Sequence, residues 1–269
     1  MATNPLGCLL ACPLGAPQPA LTAAVPVQHC PEFTPPFHKP PFHPPPFCRY
    51  AAAPISGFFL DHLTADGQPV YETQMKEIFR LSNATNGVNA ECIAAFPPEQ
   101  HWTCNFAAQA YKHTSSRTFP LNSALDSWQT GCIFTAQLKP DFPQQNDTAN
   151  GICRTSPDWL VDCAGDPETC DADGIALMNN YIDDFEATLR SARGVYDKAG
   201  NGFFAHSCHT HCEAQDDKAW TTFTVNGLTM QQAFSKWWRS SGDEPSAAHS
   251  YEACRYNEDS TPRKCNPTC

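Results

Sequence analysis

The clearest periodic pattern in this chain runs from about residue 172 to 193, where apolar residues recur every three or four positions. Such spacing predicts an amphipathic α-helix with one buried face. Asp173 is the predicted N-cap, and a basic stretch followed by Gly194 predicts the C-terminal end. The buried face is predicted to consist of Ile175, Met178, Ile182, Phe185 and Leu189.

Shorter patterns of both kinds flank this helix. Helical spacing also appears in Tyr71 to Leu81 and in Thr229 to Trp238. Short apolar runs that predict buried strands occur at Ser56–Asp61, Arg117–Asn122 and Gly202–Ala205. Because predicted strands alternate with predicted helices, we expect an α/β fold.

Residues 1–53 differ from the rest of the chain in amino-acid composition. About half of the 25 prolines lie here, and the dipeptide Pro-Pro recurs before Phe-His. Proline removes backbone donors and disfavours helix, so polyproline or disordered structure is expected. We therefore place a domain boundary near residue 53 and assign residues 54–269 to one globular unit. His38 and His43 could bind a metal, but a disordered segment explains them better.

Cysteine content indicates the compartment. Fifteen cysteines are spread along the chain without paired CxxC spacing, so most are expected to form disulfides in a secreted or cell-wall protein. No export signal and no apolar run of transmembrane length are evident. The sequons at Asn83 and Asn146 are candidate glycosylation sites. The candidate disulfide cysteines are Cys92, Cys104, Cys163, Cys170, Cys208, Cys212, Cys254, Cys265 and Cys269, with Cys92–Cys104 and Cys163–Cys170 as local pairs.

Net charge argues against some partners. The formal net charge of -11 and the pI near 5.2 disfavour nucleic acid and anionic membrane surfaces.

Candidate chemistry follows two of the strands. Asp126 comes after the second predicted strand, and His211 comes after the third. An acid followed by a histidine at successive strand ends is the order that α/β-hydrolases use, with a serine upstream of both. Two plainer explanations remain open, namely a turn aspartate that binds its own backbone and a structural histidine in a cysteine-rich loop. A zinc site built from His206, His209 and His211 is a further alternative, although their spacing is not that of a zinc finger.

Five segments, in order and at similar spacing, resemble the pectin acetylesterase/Notum family. They cover about residues 55–269. The segments are Ser56-Gly57-Phe58-Phe59-Leu60-Asp61, Asn122-Ser123-Ala124-Leu125-Asp126-Ser127-Trp128-Gln129, Ser207-Cys208-His209-Thr210-His211-Cys212, Val225-Asn226-Gly227-Leu228-Thr229 and Cys265-Asn266-Pro267-Thr268-Cys269.

The resemblance implies an α/β-hydrolase-like, disulfide-rich carboxylesterase that acts by a Ser-His-Asp mechanism without cofactor or metal. Its substrate would be an acetylated polysaccharide or, in the Notum branch, an acylated protein. By motif match Asp126 takes the acid role and His211 the base role, whereas His206 and His209 take neither. Trp128 is a candidate substrate-binding residue, with core packing as the alternative.

The sequence departs from the family pattern at the nucleophile. No glycine in the chain is followed two places later by serine, so a Gly-x-Ser-x-Gly elbow is absent. Ser123, Ser127 and Ser207 lie inside motifs that match other roles. We therefore expect an incomplete, truncated hydrolase domain that lacks its N-terminal catalytic elements. The competing hypothesis is a non-catalytic secreted module that binds glycan or protein.

Overall fold

The computed structural model describes most of the globular part of the chain. The Pro-rich segment 1–53 lies almost wholly outside the described residues, as do Asn146 and Cys265. The described residues are 51–136, 158–192, 198–240, 249–252, 254–260, 262–264 and 266–269.

The described helices and strands alternate along the chain, which confirms the α/β class. The strands are β1 (Ala51–Ala52), β2 (Arg117–Thr118), β3 (Leu121–Ser123), β4 (Phe203–His206), β5 (Thr224–Val225), β6 (Leu228–Thr229) and β7 (His249–Tyr251). The α-helices are α1 (Val70–Leu81), α2 (Ala90–Ala95), α3 (Ala107–Ala110), α4 (Ser127–Gln129), α5 (Asp158–Gly165), α6 (Ala172–Ser191), α7 (Asp217–Thr222) and α8 (Met230–Arg239).

A parallel sheet forms the centre of the described structure. Its strand order is β3-β4-β7, and β1 pairs in parallel with β2. Leu121 is opposite Phe204, and Ser123 is opposite His206. An isolated parallel bridge from Ile55 to Leu121 links the segment after β1 to β3. Because all these pairs are parallel, the ends of β3 and β4 lie at the same edge of the sheet.

Helices cover the sheet on both faces. Alternate residues of β4 enter two different cores: Phe203 packs with the α6 side, whereas Phe204 packs with Trp237 of α8. A strand that is buried on both faces reads as a continuous apolar run, which is why the sequence shows no alternation here. The buried stripe of α6 is the one that the periodicity predicts.

The N-cap of α6 differs from the expectation. Asp171, rather than Asp173, accepts the amide hydrogen of Gly174 at 2.8 Å. Both residues are aspartates at the start of the same pattern, so spacing alone does not separate them. Asp173 lies in the first turn instead, where its negative charge interacts favourably with the positive end of the helix dipole.

The first predicted strand, Ser56–Asp61, is wrong. Ser56 adopts φ 46°, which is incompatible with an extended strand, and the residues after it form no regular structure. Side chains replace the missing sheet partners: Asn122 accepts from the amide of Phe58, and Gln129 accepts from the amide of Leu60, each at 3.0 Å. Phe58 and Leu60 remain fully or almost fully buried, which explains the apolar run.

Disulfides join both local and distant segments. Cys92 is bonded to Cys104 and Cys163 to Cys170, the two local pairs considered above. A third bond joins Cys208 to Cys269 across 61 residues. Cys132, Cys212 and Cys254 are also disulfide-bonded, and Cys132 was not among the sequence candidates.

Candidate active site

Asp126 is held at the end of β3 by the helix that it starts. As N-cap of α4, its Oδ1 accepts the amide hydrogens of Trp128 and Gln129, both at 3.0 Å. The side chain is completely buried. Oδ1 therefore binds the local backbone, as a turn aspartate would, and Oδ2 is left for a different partner.

That partner is His211. Its Nδ1 lies 2.8 Å from Asp126 Oδ2, and the imidazole side chain is 10% exposed. Nδ1 donates to the carboxylate, so Nε2 is the basic nitrogen of the neutral ring. A buried carboxylate that fixes this tautomer is the arrangement by which a histidine serves as a general base. Two residues 85 positions apart thus form one acid–base pair.

Burial dominates the electrostatics of this pair. It raises the pKa of Asp126 above its ordinary value, while the hydrogen bond and the charge of His211 act in the opposite direction. Two buried phenols face the same carboxylate. Burial raises the pKa of Tyr71 and of Tyr181 well above the usual range, and Asp126 raises both further. Both phenols are therefore neutral, and they add no charge to the site.

Several backbone contacts hold the loop 207–212 that carries His211. The Ser127 amide donates to the carbonyl of Thr210 at 3.1 Å, and the Ala124 amide donates to that of His206 at 2.7 Å. The hydroxyl of Ser123 donates to the carbonyl of Cys208, which is also fixed by its disulfide. The two strand ends are thus connected directly, and His211 is set against Asp126.

Aromatic rings surround the imidazole on one side. The ring centroids of Phe59 and Trp128 each lie 6.3 Å from that of His211 and 5.0 Å from each other. Both side chains are half-buried and belong to a cluster that also contains Trp102. Trp128 therefore contributes to packing while part of its surface stays accessible beside His211.

The other histidines of the motif have separate partners. His209 Nε2 lies 3.1 Å from the hydroxyl of Thr130, and His206 pairs with Glu213. Within the described ranges, no cluster of three or more His, Cys, Asp or Glu side chains could hold a metal ion. The geometry therefore gives the zinc alternative no support in this part of the chain.

Comparison with known proteins connects this geometry to a family. The sequence model of the pectinacetylesterase family matches residues 45–269. The chain belongs to the pectinacetylesterase family. Among its relatives, pectin acetylesterase 11 of Arabidopsis thaliana is 23% identical over 218 residues, which are 80% of this chain and 47% of the relative. Pectin acetylesterase 4 of the same plant is 23% identical over 185 residues, 68% of this chain and 40% of the relative.

This pectinacetylesterase family member spans about half the length of the curated relatives that it matches. The family match begins at residue 45, inside the Pro-rich segment and before the boundary expected near residue 53. Of the two sequons, Asn83 is exposed and precedes a short 3-10 helix, whereas Asn146 lies outside the described residues. No helix in the described part is both long and apolar enough to cross a membrane.

Three residues that sequence reasoning did not single out complete the site of this family member. Asn122 and Gln129 tie the Ser56–Asp61 segment to the acid-bearing motif, and Tyr181 donates to Gln129 Oε1 at 3.1 Å. All three are buried polar groups with defined partners. For Asn122 and Gln129 the available signal was their place at the two ends of the motif that carries Asp126, because buried amides need specific hydrogen bonds.

Proposed function

We propose that this chain is the acid- and base-bearing part of a secreted carboxylic ester hydrolase that removes acetyl esters from polysaccharide. The observation that carries the proposal is the 2.8 Å contact between His211 Nδ1 and the buried carboxylate of Asp126. Family membership over residues 45–269 and the names of the Arabidopsis relatives support the ester chemistry.

In this proposal His211 acts as general base and then as general acid. Its Nε2 takes the proton of the attacking hydroxyl and returns it to the leaving sugar alcohol. Asp126 holds the ring in the required tautomer and stabilises the imidazolium. Trp128 and Phe59 provide an apolar surface beside the reacting group, on which a sugar ring can stack. The attacking serine has no assigned position in this chain, because no Gly-x-Ser sequence occurs.

Secretion is part of the same proposal. Three disulfides within the described residues need an oxidising compartment, and the exposed sequon at Asn83 would be accessible to glycosylation. A cell-wall polysaccharide substrate fits that compartment. In this proposal residues 54–269 form the hydrolase domain.

Acetate release tests the proposal. A full-length form, in which a nucleophile-bearing segment is joined to this chain, would be incubated with acetylated pectin, and free acetate would be measured against time. We expect His211→Ala to abolish release and His113→Ala to leave it unchanged, because the ring of His113 packs against Phe96 rather than against a residue of the site. Equal activity of wild type and His211→Ala would refute the assignment of the base.

The alternative function is binding of glycan or protein without hydrolysis. It is favoured by one specific observation: the chain carries an intact acid–base pair but no Gly-x-Ser sequence. Saturable binding to acetylated pectin without acetate release would establish this alternative. Loss of that binding in Trp128→Ala would assign it to the surface beside His211.

A further inference from the structure

A second histidine–carboxylate pair lies directly beneath the loop 207–212. His206 Nε2 is 2.7 Å from Glu213 Oε1, and the two side chains are 0% and 2% exposed. His206 is the last residue of β4, and Glu213 is the first residue after the loop. The pair therefore joins the two ends of the segment that carries His211.

Hydrogen bonds fix the orientation of this buried pair. The amide of Cys208 donates to His206 Nδ1 at 3.2 Å, so Nε2 is the ring nitrogen that carries the proton toward Glu213. The second carboxylate oxygen accepts from the hydroxyl of Ser56 at 3.3 Å. That hydroxyl in turn accepts from the amide of Cys212 at 2.8 Å. One carboxylate thus organises the amides of Cys208 and Cys212 on either side of His211.

Two of the residues involved have unusual backbone conformations. Ser56 has φ 46° and Cys212 has φ 62°, in the left-handed region that side-chain-bearing residues rarely adopt. Such conformations persist where surrounding contacts determine them, and they concentrate at functional sites. Both residues share one such contact, the hydrogen bond from the Cys212 amide to the Ser56 hydroxyl.

Glu213 also acts on the acid–base pair through its charge. Burial would raise the pKa of Glu213, but its interaction with His206 and the charge of His211 outweigh burial, so the pKa of Glu213 lies below its ordinary value. In return the Glu213 carboxylate contributes to the raised pKa of Asp126. Two buried carboxylates, Asp126 and Glu213, therefore interact with His211 through their charge.

We propose that Glu213 is a positioning residue for His211: held by His206 and Ser56, it clamps the two ends of the loop and adds a second buried negative charge that favours the imidazolium. The first role fixes where His211 lies. The second holds the ring more basic than Asp126 alone would. In one respect this inference rests on the proposed function, since it takes His211 to be the base.

An NMR titration of His211 in the full chain tests the charge. Glu213→Gln keeps an oxygen acceptor for His206, replaces the acceptor of the Ser56 hydroxyl with an NH₂ group and removes the negative charge. We therefore expect the pKa of His211 to fall by about half a unit or more. Asp184→Asn is the matched control, because it makes the same change at a carboxylate side chain that is 59% exposed. We expect it to leave the His211 titration unchanged. An unchanged titration in folded Glu213→Gln would overturn the electrostatic role.

Amide hydrogen exchange tests the clamp. Ser56→Ala removes the hydroxyl but keeps the Glu213 charge, so exchange at Cys212 should accelerate at least tenfold while the His211 titration stays near that of wild type. Unchanged exchange at Cys212 would overturn the clamp, and it would do so even if Glu213→Gln failed to fold. Neither measurement needs substrate. Acetate release that does not depend on His211 would therefore contradict the proposed function but leave this inference standing.

Discussion

Asp126→Asn separates the two roles of the buried carboxylate. In the native protein Oδ1 accepts two amide hydrogens of α4, and Oδ2 accepts from His211 Nδ1. An amide has one oxygen and one NH₂ group, so it cannot accept on both sides. If its oxygen keeps the cap, the NH₂ group faces Nδ1 and forces the ring into the other tautomer.

The magnitudes follow from these contacts. In the wrong tautomer Nε2 carries the proton and cannot act as base, which in comparable triads lowers the rate by about four orders of magnitude. Loss of the neighbouring negative charge should lower the pKa of His211 by about 1–3 units. Stability should change little, because the cap survives. Asp126→Ala loses the cap as well, at about 0.5–2 kcal/mol, and leaves the buried Nδ1–H unpaired, at about 1–3 kcal/mol.

Three measurements report these effects. Nitrogen-15 chemical shifts of His211 report which ring nitrogen carries the proton. Acetate release from acetylated pectin, measured on the form joined to a nucleophile-bearing segment, reports activity. Urea unfolding of the wild type, Asp126→Asn and Asp126→Ala gives the free energies of unfolding. We expect Asp126→Asn to resemble wild type in stability but Asp126→Ala in activity.

The refuting result is specific. If Asp126→Asn folds and His211 keeps its tautomer and its titration, the Oδ2 contact does not control the ring. The catalytic reading of the pair would then fail, and Asp126 would be a helix cap alone.

Four further predictions follow from the structure. Replacing Cys208 and Cys269 with serine removes a disulfide that closes a loop of 61 residues. Loop entropy sets the contribution of this disulfide to the free energy of unfolding at about 4 kcal/mol. Urea unfolding under non-reducing conditions should show a loss of that order. The pKa of Glu213 lies below its ordinary value of 4.5, so its contribution to stability is present above about pH 4.5 and is lost as pH falls through the folded-state pKa. The stability difference between wild type and Glu213→Gln should therefore shrink on acidification, and a difference that stays constant with pH would contradict this. Trp128→Ala should raise KM for acetylated pectin more than it lowers kcat, with Trp128→Phe retaining most of the affinity; an effect on kcat alone would argue against a binding role. Asn83→Gln, expressed in a secretory host, should abolish one glycosidase-sensitive mobility shift, and an identical shift in wild type and variant would exclude that site.

Local patterns were sufficient for much of the architecture. The stripe on α6 gave its buried face correctly, and Thr229 with Gln232 forms the capping box that starts α8. The Asn226-Gly227 pair adopts φ 52° and 76° between β5 and β6, as a two-residue hairpin turn requires. These features depend on residues close in sequence, so the sequence by itself determined them.

The sequence predicted which two residues would form the histidine–carboxylate pair, but not their contact. Sequence order and motif match selected Asp126 and His211, but the 2.8 Å contact depends on the parallel register of β3 and β4. The contacts of a helix cap and the contact that the proposed catalytic role needs use different oxygens of the same carboxylate. A sequence cannot separate these, because each oxygen gains its partner only when the chain is folded.

Tertiary structure alone decided the rest. Ser56–Asp61 has the composition of a strand but lies in an irregular segment, because buried side chains of Asn122 and Gln129 satisfy its amides. Cys208 bonds to Cys269 rather than to a cysteine nearby, and Glu213 meets both His206 and Ser56. Contacts between residues far apart in sequence arise from packing, which pairs buried polar groups across the whole fold, and no local pattern encodes that solution.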